Sequence, residues 1–201
     1  MKLKDTFLTP IFKSNPITVL VLGVCSALAV TVTLKGAIVM ALSVTVVTGL
    51  GNFVLSLLRK GIPNRVRIIV QLVVVAMLVI LVDQILKSIE ATFPIDKQLS
   101  VYIGLIITNC IVMGRIEAFA LGNKPFPSLV DGLANGLGYG LILVVVAFFR
   151  ELFGSGTLFG LQVMPAGYIT NNLVILPPFA LILIGCIIWA HRAFDKELQE
   201  K

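Results

Sequence analysis

Two of the three cysteines stand where they could do chemistry. Cys25 lies in LGVCSALAV at 22–30 and Cys110 in GLIITNCIVM at 104–113, each a thiol among small and polar residues inside an apolar run. Free cysteine ordinarily behaves as a small hydrophobe and packs in a core. Cys186 fits that ordinary reading, because Leu183-Ile184-Gly185-Cys186-Ile187-Ile188 gives it no polar company. Cys25 and Cys110 instead have Ser26, Thr108 and Asn109 beside them. A thiolate in an apolar medium needs a cation to offset its desolvation, and a metal centre would supply one. A 2Fe–2S cluster takes four ligands, so two thiols from this chain would require two more from a partner. On the residues alone, simple packing of both cysteines stays open as the alternative, since no closely spaced cysteine pair is present.

The remaining polar residues build no hydrolytic or nucleotide site. Ser-His-Asp triads, paired carboxylates and dinucleotide fingerprints cannot be assembled. Gly154-Ser155-Gly156 lacks the lysine and hydroxyl residue of a phosphate loop. His191, the single histidine, falls at the end of the last apolar run, where a headgroup contact suits it. Asp83 is one helical turn from Lys87, the spacing of an interfacial ion pair. Arg115 and Glu117 are too close in sequence to face each other on a helix, although a turn could hold both. Arg150-Glu151 closes an apolar run as an interfacial anchor would. Asn135 and Tyr139 lie within the same run, and Gly132, Gly136 and Gly140 give it the small-xxx-small spacing of close helix contact or dense subunit packing.

The elements that must position these residues are dictated by composition. The chain has 201 residues, 58% hydrophobic and 13% charged. Soluble domains run at about 45–50% apolar and about 25% charged. Lipid is therefore the solvent, and disorder, collagen and a disulfide scaffold are excluded together. About 20 apolar residues span a bilayer as a helix, and six segments qualify: roughly 17–34, 37–58, 66–86, 99–113, 129–149 and 173–190. Lys35-Gly36 is expected to connect the first two as a tight hairpin. Arg59, Lys60, Gly61, Pro63 and Asn64 end the second, and Pro177-Pro178 opens the sixth, where a helix tolerates proline best. The first segment lacks the cleavage site and polar continuation of a signal peptide. The expectation is one integral membrane domain over 1–201, all α.

With six spans, twelve of the sixteen Lys and Arg residues fall on the side of the two termini and four on the other. By the positive-inside rule both termini are cytoplasmic. The net charge of +6 is then a topology signal, with no need for nucleic acid. Six spans divide into two inverted sets of three, about 14–90 and 98–192. The two cysteines, in similar surroundings, take corresponding places early in each set. Inverted repeats carry their sites on interrupted helices near the midplane. The short fourth segment, broken at Gly114-Arg115-Ile116-Glu117, and the first segment are expected to be such half-helices.

ITNCIVMGRIEAFA at 107–120, PSLVDGLANGLGYG at 127–140, RELFGSGTLFG at 150–160 and LGVCSALAV at 22–30 together resemble the D-subunit family of the sodium-translocating NADH:quinone reductases. The resemblance extends over nearly the whole chain. The E subunit of the Rnf electron-transport complex belongs to the same wider family and has a similar Thr-Asn-Cys stretch. The resemblance implies six helices in two inverted three-helix repeats in the bacterial inner membrane, with both termini cytoplasmic. It implies a homologous partner of opposite topology, the E subunit of the reductase, within a six-subunit complex. It also implies an intramembrane 2Fe–2S cluster between the two, with Cys25 and Cys110 as this chain's ligands. NADH, flavins and ubiquinone would be bound elsewhere, and electron flow to ubiquinone would drive sodium export. The chain's own work would be electron relay, with Ser26, Thr108 and Asn109 as candidate donors around the sulfurs. An Rnf setting, with ferredoxin and NAD as redox partners, is the nearest alternative. An inverted-repeat ion transporter without a redox centre is the alternative of another class.

Overall fold

The computed structural model describes residues 15–59, 61–63, 65–90, 99–158, 161–162 and 172–194. In chain order its helices are α1 (Val24–Val30), α2 (Leu34–Leu58), α3 (Arg67–Glu90), α4 (Leu99–Gly104), α5 (Cys110–Arg115), a π-helical turn (Ile116–Ala120), α6 (Pro125–Gly154), α7 (Asn172–Ile175) and α8 (Pro177–Phe194). A two-residue hairpin, Thr157–Leu158 antiparallel to Leu161–Gln162, is the sole strand pairing among the described residues. Among the described residues four helices are long and apolar enough to cross a membrane: α2, α3 up to Ser88, α6 and α8.

The first and fourth apolar segments are not continuous helices. In the first, a turn over 16–20 leads to left-handed backbone at Val21 (φ 54°) and Gly23 (φ 77°), and only then to the seven residues of α1. In the fourth, α4 stops at Gly104, the chain turns over 105–108, and α5 restarts at Cys110. The expected connection at Lys35-Gly36 is corrected. Thr33 is the N-cap of α2, its Oγ1 accepting from the Gly36 amide at 3.3 Å, so Lys35 and Gly36 lie in the first turn of the helix. The chain turns over 31–33 instead. A β-region threonine with a free hydroxyl outcompetes a lysine–glycine pair as a helix boundary, because it satisfies an otherwise orphaned amide.

The core is the seam between α2 and α6. Paired contacts run from Leu34 with Glu151, through Ala41 with Gly140 and Thr45 with Gly136, to Asn52 with Ser128 and Ser56 with Asn123, so the helices are antiparallel over their whole length. The glycine spacing has the meaning the sequence suggests. A Cβ on Gly132 would lie 2.7 Å from the Thr48 carbonyl, and one on Gly136 would lie 2.5 Å from Thr45 Cα. Thr45 and Thr48 turn their hydroxyls back to Ala41 O and Val44 O at 2.7 and 2.6 Å, which leaves their methyl groups for packing.

Helices α3 and α8 are peripheral. Of their apolar windows 17% and 11% is buried, against 56% and 61% for α2 and α6. Ile68, Ile69, Val73 and Met77 on α3, and Leu181, Ile182 and Trp189 on α8, point outward. In lipid such faces carry no hydrophobic penalty. Asp83 and Lys87 on α3 form the expected i,i+4 pair, at 2.6 Å.

Candidate functional site at the two helix breaks

The two breaks meet. The Asn109 side chain caps α5, its Oδ1 accepting from the Ile111 amide at 3.2 Å, while its Nδ2 donates to Ser26 Oγ, also at 3.2 Å. Ser26 Oγ shares a 2.7 Å hydrogen bond with the Tyr139 hydroxyl of α6 and donates to the Gly23 carbonyl at 3.0 Å. A Cβ on Gly23 would stand 2.5 Å from Ile111 Cδ1 and 3.1 Å from Tyr139 Cε2, so only glycine lets the first break come this close to the second. Asn15 adds a fourth tie, donating from Nδ2 to the Gly138 carbonyl at 3.0 Å. Two helix breaks are thereby stitched to one another and to the middle of α6 by side chains that are themselves buried.

Both cysteines flank this stitch. Cys25 is the second residue of α1 and Cys110 the first of α5. While Ser26 and Asn109 are buried, Cys25 and Cys110 are exposed. The polar partners therefore face inward and the thiols face out of the protein. Each thiol also sits in the first turn of its helix. Among the described residues no group of three or more His, Cys, Asp or Glu could hold a metal.

Other sequence expectations divide. Ser26 and Asn109 join the network around the breaks, but Thr108 does not: it is exposed, and its hydroxyl reaches only Leu105 O at 3.5 Å. Cys186 is corrected. It is exposed on α8 rather than packed in the core, because α8 lies at the rim and Cys186 falls on its outer side. His191 lies in the last turn of α8.

The charged residues differ most from expectation. Arg115 and Glu117 are not held together. Arg115 makes a two-pronged pair with Asp131 of α6, at 2.5 and 3.1 Å, and Asn135 donates to the same carboxylate at 3.1 Å. Glu117 turns the other way, to Gln71 at 2.8 Å and to Arg67, both on α3. The π turn that begins at Ile116 separates them. Arg150 and Glu151 are buried instead of anchoring an interface. Arg150 donates to Leu28 O (3.1 Å), Thr31 Oγ1 (2.6 Å) and Ile175 O (2.5 Å), and Glu151 Oε2 accepts from the Leu34 amide at 2.5 Å. Asp131 is not singled out by the sequence. Its only signal there is an acid one helical turn before Asn135 within a glycine-rich apolar segment.

A helical core with apolar faces turned outward, and four described helices long and apolar enough to cross a bilayer, define an integral membrane protein. Its sequence belongs to the Rnf-Nqr family: the pattern described as "Rnf-Nqr subunit, membrane protein" matches residues 3–188. The chain is similar to the D subunit of the Na(+)-translocating NADH-quinone reductase of Haemophilus influenzae strains PittGG, KW20/Rd and 86-028NP. In each case it is 56% identical over 203 residues, covering 98% of this chain and 97% of the relative.

Proposed function

We propose that this chain is the D subunit of a sodium-translocating NADH:quinone reductase in a bacterial inner membrane. In this reading Cys25 and Cys110 supply two of the four ligands of an intramembrane 2Fe–2S cluster, and a homologous E subunit of opposite topology supplies the other two. The observation that carries it is the joining of both breaks through Ser26, Asn109 and Tyr139, with both thiols turned outward. The donor set fits such a centre: two thiols in first helical turns, at a surface a partner can cover. When bound, the cluster would supply a one-electron carrier at membrane depth. The chain's own residues do the rest. Asn109 and Gly23 fix where the two helices begin, Ser26 and Tyr139 hold those starts on α6, and the α2–α6 seam gives them a rigid floor. NADH, flavin and ubiquinone are bound by other subunits, and sodium export is the work of the assembled complex.

The proposed topology is six spans in two inverted repeats, about 14–90 and 98–192, within a single domain and with both termini cytoplasmic. Its support is the order of elements. A broken segment ending in a cysteine-bearing helix, a long seam helix and a lipid-facing helix occur in each half: α1, α2, α3 and then α5, α6, α8. Twelve of sixteen basic residues on one side support the orientation.

The test is iron and acid-labile sulfide in the purified complex, wild type beside Cys110→Ala at matched subunit content. The expected outcome is loss of about two irons per complex, the content of one such cluster. Unchanged iron in the variant would overturn the assignment.

A further inference from the structure

The two seam helices leave an apolar groove of about 470 Å³ along their outer side. Leu42 of α2 and Leu137 and Leu141 of α6 wall it, and all three are exposed. Its floor is Ala41, Thr45 and Gly140, where the small residues of the seam bring the helices together. The Thr45 hydroxyl, alone in this lining, donates to Ala41 O at 2.7 Å, so no side chain offers an occupant a polar group. Leu137 and Leu141 each stand two residues, just over half a turn, from Tyr139. The groove therefore opens on the opposite side of α6 from the helix breaks that Tyr139 holds.

A cation stands over one end of this groove. Lys35 lies in the first turn of α2, seven residues before Leu42 and so on the same face, and it is exposed. It has no ion pair among the described residues. Three other basic residues share its side of the membrane in the six-span reading. Lys87 pairs with Asp83, Arg150 donates to Leu28 O and Ile175 O, and Lys97 lies outside the described residues. Glu151, which also reaches this end of α2, is buried and accepts from the Leu34 amide. The first turn of a helix is its positive pole, where a lysine is disfavoured unless an anion joins it. From Lys35 to Thr45 is ten residues of helix, about 15 Å. That is half of a hydrocarbon core about 30 Å thick, and Thr45 is near the middle of α2. The groove thus has a cationic mouth and an apolar trough one leaflet deep.

We propose that this groove binds one anionic phospholipid of the leaflet on the Lys35 side. The headgroup phosphate meets the Lys35 ammonium, and one acyl chain follows the seam down to Thr45 and Leu137. The chain fills the trough that the small residues open between the helices, which a rigid side chain from a neighbouring helix would have to match along its whole length. This site rests on the membrane spans and not on the iron–sulfur reading above.

The experiment uses the intact complex in phosphatidylcholine vesicles. A trace of phosphatidylglycerol carries a photoreactive diazirine at the end of one acyl chain, and labelled peptides are mapped by mass spectrometry. The expected result is labelling of α2 and α6 around Thr45 and Leu137 at several times the level on the outward face of α3, which reports bulk lipid. Phosphatidylcholine with the same modified chain should label both places alike. Lys35→Gln, at an exposed side chain, should lower the phosphatidylglycerol label in the groove by about fivefold, the effect of one lysine at an anionic lipid surface, and leave α3 unchanged. Lys35→Arg should keep the label. Equal labelling of the groove by the two lipids, or no response to Lys35→Gln, overturns the proposal in favour of bulk lipid. Labelling of α3 with none in the groove overturns it in favour of cover by another subunit.

Discussion

The two helix breaks solve one problem with different residues. At the first, the backbone itself does the work: Val21 and Gly23 adopt left-handed conformations, and α1 starts without a side-chain cap. At the second, the backbone is ordinary and a side chain does the work, with Asn109 capping α5 from an extended conformation. One break depends on the absence of a Cβ and the other on the presence of an amide. The two ends are nonetheless joined, and each presents its cysteine in the first helical turn. Two helix starts that meet in the fold therefore need not share a sequence, since a left-handed glycine and an asparagine cap are interchangeable ways to begin a helix.

This contrast can be broken by substitution, and the breaks should rank. Gly23→Ala puts a methyl into Ile111 and Tyr139 at a left-handed position, and should cost about 3 kcal/mol from strain and overpacking together. Denaturant titration of the purified complex would check it, and a cost below that of any change at Asn109 would reverse the ranking. Asn109→Ala removes a cap and the bond to Ser26, with an expected loss of about 2 kcal/mol in the same titration. Tyr139→Phe tests what the breaks share. Ser26 keeps its bond from Asn109, so about 1 kcal/mol should be lost, with unchanged subunit composition on gel filtration. The smallest effect belongs to Val21→Gly. Relief of left-handed strain at this exposed residue and the added chain entropy of glycine nearly cancel, leaving a change below about 0.5 kcal/mol. A large loss there would mean that the valine side chain, and not its backbone, shapes the first break.

Much of this arrangement is legible in sequence because it follows from residue type alone. The long apolar runs become α2, α3, α6 and α8, and the glycines at 132, 136 and 140 mark the seam. The Asp83–Lys87 pair follows from spacing, and the polar company of Cys25 and Cys110 marks the breaks. What sequence does not reveal is which groups meet across the fold. Charges at the ends of apolar runs read as interface anchors, yet Arg150 and Glu151 are buried because α1, α2 and α7 end or begin beside them and offer carbonyls and an amide. Arg115 finds Asp131 and Glu117 finds α3 only because a π turn lies between them. Cys186 reads as core in a run without polar neighbours, but the outward face of a peripheral helix has the same composition as a core when lipid is the solvent. Hydropathy reports the medium and is silent about the neighbour.

The α2–α6 seam has a consequence for how the chain is made. Asn52, Ser56 and the Leu34 amide find their partners 76, 67 and 117 residues further along. At roughly 5–20 residues per second, the ribosome needs on the order of ten seconds to supply them. Throughout that interval these groups of α2 lack the partners they have in the fold, and lipid cannot hydrogen-bond them in their place. The first half of the nascent chain is thus an obligatory intermediate with one unfinished side, and slower elongation between residues 60 and 123 lengthens its exposure.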